Sequence, residues 1–249
     1  QGWIGGEPDL RRLTGSLGGP IDGTMAEYMV LSEQGVARVP AHLGDVEAAC
    51  LPCAALTAWS ALAVCSATRP GDRVLIQGSG GVALFALQFA KCFGAHVTVI
   101  SSSDEKIARL KALGADATIN YRSTPEWAKA TREITGGSGY DHIVELGGEK
   151  TLPQSLRCIR PGGVLSMIGV LSGSTLSAPL GLVVTRQVRL QGVTVGHRDG
   201  FEAMARAIEQ HGLRPVIDRS FAFDELREAM LYLKSGAQFG KICIDHGAG

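Results

Sequence analysis

The 249-residue chain is 45% hydrophobic, enough to bury one large core or two small ones, and its 24 basic and 24 acidic residues cancel to a formal charge of zero. No long-range field therefore draws it to nucleic acid, an anionic lipid surface or an acidic partner. Its longest apolar runs, such as 82–90, fall short of the roughly 20 residues that span a bilayer, and no signal-like segment opens the chain, so a cytoplasmic protein without a membrane segment is expected.

Taken in chain order, 1–23 carry turn signals at Gly18-Gly19-Pro20 and Asp22-Gly23, and 25–31 alternate toward a strand, so an irregular or β-rich piece is expected first. From 46 to 64 the spacing of Ala, Leu and Trp predicts a buried helical stretch, broken once by Pro52. From Pro70 a strict alternation begins: strand 73–77, helix 82–93, strand 96–100, helix 104–113, strand 117–121, helix 124–134. It continues through strand 142–146, helix 152–159, strand 163–168 and, after a Gly/Ser-rich loop, strand 188–195. The fold class that follows is α/β, a six-stranded, doubly wound parallel sheet. Helix 201–211, strand 216–221, helix 223–233 and strand 240–244 lie outside the alternation and are expected to return to the first piece. The domain reading is 1–53, 54–200 and 201–249. The opening Gln1-Gly2-Trp3-Ile4-Gly5-Gly6 begins inside a Gly-rich stretch without an initiator Met, which leads to the expectation of a fragment.

Cys50, Cys53, Cys65, Cys92, Cys158 and Cys243 are scattered and mostly sit in apolar runs, as buried free thiols do, so no disulfide framework is expected. Cys50-Leu51-Pro52-Cys53 spells C-x-x-C, but the thioredoxin-like context that makes such a pair redox-active is missing. His42, His96, His142, His197, His211 and His246 form no metalloprotease or triad pattern. Glu145, at a strand end beside Gly147-Gly148, reads as a carboxylate that caps the following loop, with a cleft-facing role as the alternative.

The strongest signal is Gly78-Ser79-Gly80-Gly81-Val82-Ala83, which follows the apolar strand Val74-Leu75-Ile76 and opens an apolar helix. That context aims backbone N–H groups at a pyrophosphate and makes the fold a Rossmann-type dinucleotide-binding domain. In NAD-preferring folds an acid about 20 residues past the first glycine binds the ribose 2′-hydroxyl. Here Ser101-Ser102-Ser103 stand instead, and Lys106 follows one helical turn later, which favours NADP(H) over NAD(H). The alternative reading is that the serines cap the helix and Lys106 is merely solvated.

Asp22-Gly23-x-x-Ala26-Glu27-Tyr28, Leu51-Pro52-Cys53-Ala54-Ala55-Leu56-Thr57-Ala58-Trp59 and Pro70-Gly71-Asp72-Arg73-Val74-Leu75-Ile76 resemble the medium-chain dehydrogenase/reductase superfamily. Leu113-Gly114-Ala115-Asp116, Arg160-Pro161-Gly162-Gly163 and Phe239-Gly240-Lys241 recur in the expected order. Within that superfamily the chain resembles the alcohol-dehydrogenase-like and quinone-oxidoreductase-like branches. The resemblance implies that 1–53 are the C-terminal part of a truncated, β-rich, GroES-like catalytic domain, whose missing start carries half of the active site. It implies that Ser102, Lys106 and Tyr121 surround a 2′-phosphate, that Thr57 lies against the nicotinamide, and that Gly147 and Ile168-Gly169-Val170 line the cofactor's nicotinamide side. In zinc-dependent members Cys53 would be one ligand, but the four-cysteine zinc lobe expected within 1–20 is absent, so the resemblance leans to the zinc-independent branch with no metal ligand set.

The function expected is an NAD(P)H-dependent oxidoreductase acting on a small carbonyl, alcohol, quinone or enone, working as a homodimer with strand 188–195 at the joint. The alternatives are an NADP(H)-binding module without turnover and a zinc-dependent alcohol dehydrogenase. A methyltransferase would want an acid after the second strand, and Ser101 argues against it.

Overall fold

In the computed structural model, which describes residues 2–9 and 15–247, the alternation from Arg73 onward is a six-stranded parallel sheet. Its strands are β1 (Arg73–Gln77), β2 (His96–Ser101), β3 (Ala117–Asn120), β4 (Tyr140–Glu145), β5 (Ile159–Met167) and β6 (Arg189–Gly192). Their order across the sheet is β3-β2-β1-β4-β5-β6, and every neighbouring pair is parallel. That is the doubly wound order in which the chain reverses direction across the sheet between β1 and β4.

The helices are α1 (Asp45–Cys65), α2 (Gly81–Cys92), α3 (Asp104–Ala112), α4 (Trp127–Ile134), α5 (Leu152–Cys158), α6 (Leu180–Thr185), α7 (Arg198–His211) and α8 (Leu226–Ser235). Contacts divide the chain into two units: Thr57–Thr194, and the described residues of Gln1–Leu56 with Val195–Gly249. In the first, Leu75, Ile143, Leu165, Trp127 and Leu156 belong to one buried cluster on one face of the sheet. Trp59 meets Phe89 and Phe93 edge-on at 5.4 and 5.5 Å, a geometry that favours ring edge against ring face. In the second, β7 (Ile217–Ala222) pairs in parallel with β8 (Lys241–Asp245), and α7 and α8 end on left-handed Gly212 and Gly236.

Several expectations need correction. Residues 25–31 form no strand: Tyr28 and Val30 are 90% and 99% exposed, and the segment finds no ladder partner among the described residues. Strand 188–195 is shorter, because Val193 lies beyond β6 and Val195 takes φ +51°, outside the extended region. Helix α6 arises inside the expected Gly/Ser-rich loop. The helical stretch α1 is 21 residues long and, by length and composition, apolar enough to cross a membrane, although 56% of its apolar window is buried within the fold. Unbroken apolar runs miss it because Asp45 and Glu47 interrupt them, yet the helix runs through both. Its break at 49–50 precedes Pro52, as a proline with no N–H requires. Of the opening loop expected over 1–23, residues 1 and 10–14 lie outside the described residues.

Candidate functional site

Two clusters form where the strands end. The first begins at Gly78, whose φ of +83° is open to glycine but strained for other residues, and whose N–H donates to the Ile100 carbonyl at 2.7 Å. Gly80 precedes α2 in extended geometry as its N-cap, and Gly81 and Val82 form the first turn, so N–H groups of the loop and first turn stay unpaired within the helix. A Cβ at Gly78 or Gly80 would meet nothing within 4 Å, so the backbone has free space over it where a ligand can come close. Ser79 and Ser101 are both buried, and the Ser101 hydroxyl donates to Ser79 Oγ at 3.4 Å. The Tyr121 N–H donates to the Ser101 carbonyl at 3.0 Å, which brings the ends of β2 and β3 to the glycine loop.

Ser102 and Lys106 are half-buried and Tyr121 is 39% exposed. The helix-capping reading of the serines applies to Ser103, whose Oγ accepts from the Lys106 N–H at 3.3 Å. Ser101 and Ser102 are left outside that cap. Sequence reasoning missed Asp104, the first residue of α3, which accepts from Asn120 Nδ2 at 2.8 Å and sets an acid beside this cluster.

The second cluster lies at the ends of β1, β4 and β5. Glu145, 1% exposed, accepts at one oxygen from the N–H groups of Gly147 and Gly148, both at 3.1 Å, and from the Thr151 hydroxyl. Its other oxygen accepts from Gln77 Nε2 at 2.7 Å and from the Ser155 hydroxyl. The Gln77 carbonyl oxygen in turn accepts from the N–H groups of Leu146 and Gly147 at 3.1 Å. The carboxylate thus caps the loop after β4, which is its structural reading, and every donor aimed at it suits an acceptor-only group. Gln77, Thr151 and Ser155 were missed from sequence. The signal was a polar residue closing the buried run of β1 and a serine on the apolar face of α5.

Glycines pack this second cluster tightly. A Cβ on Gly169 would fall 1.9 Å from the Leu146 carbonyl oxygen, and one on Gly147 would fall 2.3 Å from Thr151 Oγ1. The Ile168 and Gly169 N–H groups donate to the Glu145 carbonyl at 3.0 and 3.2 Å, and the Ser172 hydroxyl donates to the Gly147 carbonyl at 2.8 Å. Gly147, Ile168, Gly169 and Val170 are therefore neighbours, with Val170 64% exposed. Thr57 lies on α1 and is 3% exposed. Cys53, on the same helix, is exposed, and no group of three or more His, Cys, Asp or Glu able to hold a metal ion occurs among the described residues.

Known proteins extend this picture. Residues 81–210 match the zinc-binding dehydrogenase family. A zinc-type alcohol dehydrogenase-like protein of Schizosaccharomyces pombe is 43% identical over 97% of this chain, which spans 72% of that protein. A crystal structure of a candidate alcohol dehydrogenase from Sinorhizobium meliloti 1021 superposes with a TM-score of 0.92 at 44% identity, covering 98% of this chain and 72% of that one. That of an NAD-dependent alcohol dehydrogenase superposes with a TM-score of 0.87 at 35% identity, covering 93% and 67%. With the 3-2-1-4-5-6 sheet, the glycine loop and these relatives in agreement, the chain belongs to the zinc-binding dehydrogenase family of the medium-chain dehydrogenase/reductase superfamily.

Proposed function

We propose that the chain is an NAD(P)H-dependent oxidoreductase that prefers NADP(H) and acts on a small carbonyl or alcohol, or on a quinone or enone. The observation that carries this reading is the open glycine loop: Gly78 and Gly80 leave free space over the backbone just where α2 begins. The names of the relatives support the carbonyl and alcohol half of the substrate range. When bound, the nicotinamide cofactor supplies the redox chemistry, and this chain's residues bind and orient it. Gly78, Ser79, Gly80, Gly81 and Val82 cradle the pyrophosphate. Ser101, Ser102, Lys106 and Tyr121 hold the 2′-phosphate. Gly147, Ile168, Gly169, Val170 and Thr57 fix the nicotinamide ring. No strong acid or base is needed for that task, and orientation alone is worth several kcal/mol of barrier.

Asp104 favours a second reading, NAD(H), because its carboxylate sits beside the ribose pocket, and the relative that superposes at 0.87 is NAD-dependent. Titrating the chain with NADPH and NADH by cofactor fluorescence separates the two. Tighter NADPH binding is expected, and Lys106→Ala should shrink the preference by roughly 5- to 30-fold, the equivalent of about 1–2 kcal/mol for one charge-assisted hydrogen bond. Equal affinities in the unaltered chain sink the NADP(H) preference, and binding without turnover on alcohols, aldehydes or quinones leaves a nucleotide-binding module.

We extend the reading to zinc: the chain as it stands holds none, because Cys53 supplies one ligand and a catalytic site needs three. The zinc-dependent alcohol dehydrogenase reading rests on the family's name and needs two further ligands. Elemental analysis decides, and one tightly held zinc per chain restores that reading. The assembly proposed is a homodimer joined along β6, an edge of the sheet.

A further inference from the structure

Among the described cysteines, two from distant parts of the chain meet. Cys50 lies at the turn inside α1 and Cys243 at the centre of β8, and their sulfurs are 3.6 Å apart. They are 1% and 8% exposed. Each thiol also reaches the Val46 carbonyl, at 3.4 Å from Cys50 and 3.8 Å from Cys243. Cys53, the partner that the C-x-x-C spacing suggests for Cys50, is exposed on the next turn.

We infer that Cys50 and Cys243 form an oxidative modification site, closing to a disulfide when the chain meets a peroxide. Sulfurs bonded to each other stand about 2.05 Å apart, so from 3.6 Å the pair must close by about 1.5 Å. The chemistry balances in two steps. The Cys243 thiolate attacks a peroxide oxygen, the O–O bond breaks, the departing hydroxide takes a proton to become water, and Cys243 is left as a sulfenic acid. The Cys50 thiol then attacks that sulfur, its proton passes to the departing hydroxide as the S–O bond breaks, a second water leaves, and the disulfide is made. Two thiols lose two electrons and hydrogen peroxide gains them.

The pair suits the order of these steps. The hydrogen bond from Cys50 draws the Cys243 thiol down to about 7 against the opposing effect of burial, and Lys241 assists. Cys50 is pushed up by the same hydrogen bond and by burial. One thiolate is therefore populated near neutral pH, and the thiolate is the reactive form. The link would tie β8 to α1 and close a loop with |i−j| of 193 that contains all of Thr57–Thr194.

The test treats the reduced, folded chain with hydrogen peroxide, quenches, alkylates under denaturing conditions and maps peptides without reductant. The expected result is one cross-link, Cys50 to Cys243, with the other four of the six cysteines alkylated, and with a melting temperature raised by roughly 5–10 °C until reductant is added. The chain unfolded in urea should give mixed pairs instead. In Cys50→Ala a sulfenic-acid trap should label Cys243. Free Cys50 and Cys243 after treatment, a Cys50–Cys53 link, or a Cys50–Cys243 link formed equally in the unfolded chain would each overturn the inference.

Discussion

Replacing Glu145 by Gln tests whether this carboxylate holds the loop after β4. Five donors converge on it: Gln77 Nε2, the Gly147 and Gly148 N–H groups, and the Thr151 and Ser155 hydroxyls. An amide nitrogen placed on the side that faces Gly147, Gly148 and Thr151 opposes three of them, so the side chain should turn its nitrogen toward Gln77 and Ser155. The Ser155 hydroxyl can rotate to accept. Gln77 Nε2 keeps its 2.8 Å bond to Ser155 Oγ but loses the carboxylate and faces another donor. One buried donor set against another costs about 1–3 kcal/mol, and loss of the charge on the remaining bonds adds about 1, giving a destabilisation of about 2–4 kcal/mol. At about 2–4 °C per kcal/mol for a chain of this size, the melting temperature should fall by roughly 4–16 °C. Thermal unfolding reads the first effect, and nucleotide titration reads the second, since Gly147 moves with the loop. A Glu145→Gln chain that melts with the unaltered one refutes the assignment.

Two further outcomes concern a buried histidine and the free edge of the sheet. Burial, with Arg189 adding to it, drives the His142 pKa down to about 3, so the unfolded chain binds a proton there that the folded chain refuses. Stability from this group is whole above about 6.5 and drains away as pH falls toward 3, on the order of 3 kcal/mol by pH 4; urea unfolding at pH 7 and pH 4 should show His142→Gln losing less over that interval than the parent, and equal losses would refute the reasoning. For the proposed dimer, the Val193 N–H already donates to the Met167 carbonyl at 3.0 Å within the chain, so the next N–H back, that of Gly192, faces outward from the sheet. Gly192→Pro should therefore split the dimer in light scattering without lowering stability, and a monomer mass for the unaltered chain would refute the joint.

How much was legible beforehand depended on whether a feature is local. Strands buried on both faces read as continuous apolar runs, so Val74-Leu75-Ile76 and Ile143-Val144 announced a parallel sheet, and the glycine loop was readable because strand, turn and helix adjoin in sequence. Alternation over 25–31 misled because a strand needs a partner, and alternation says nothing about whether one exists. The glutamate cluster was only half visible. Glu145 and its two following N–H groups are neighbours in sequence, but Gln77 lies 68 positions away, and only the register of β1 against β4 brings the two together.

That register also explains why the two clusters act as one device. β1 and β4 are adjacent although the connections leaving them run to opposite sides of the sheet, so the loops at 78–80 and 146–148 part from each other and leave a crevice. Gln77 is the last residue of β1, immediately before the loop that begins at Gly78, and its side chain crosses to Glu145, the last residue of β4. One amide therefore fixes where both walls of the crevice begin. The carboxylate then sets the backbone of Gly147 and Gly148, and the absent Cβ of Gly169 lets the loop after β5 close against Leu146. A chain whose task is to hold a two-part ligand in one pose gains more from such fixed walls than from a titrating side chain. Gln77, Glu145 and Ser155, buried polar groups all, accordingly serve here to place backbone.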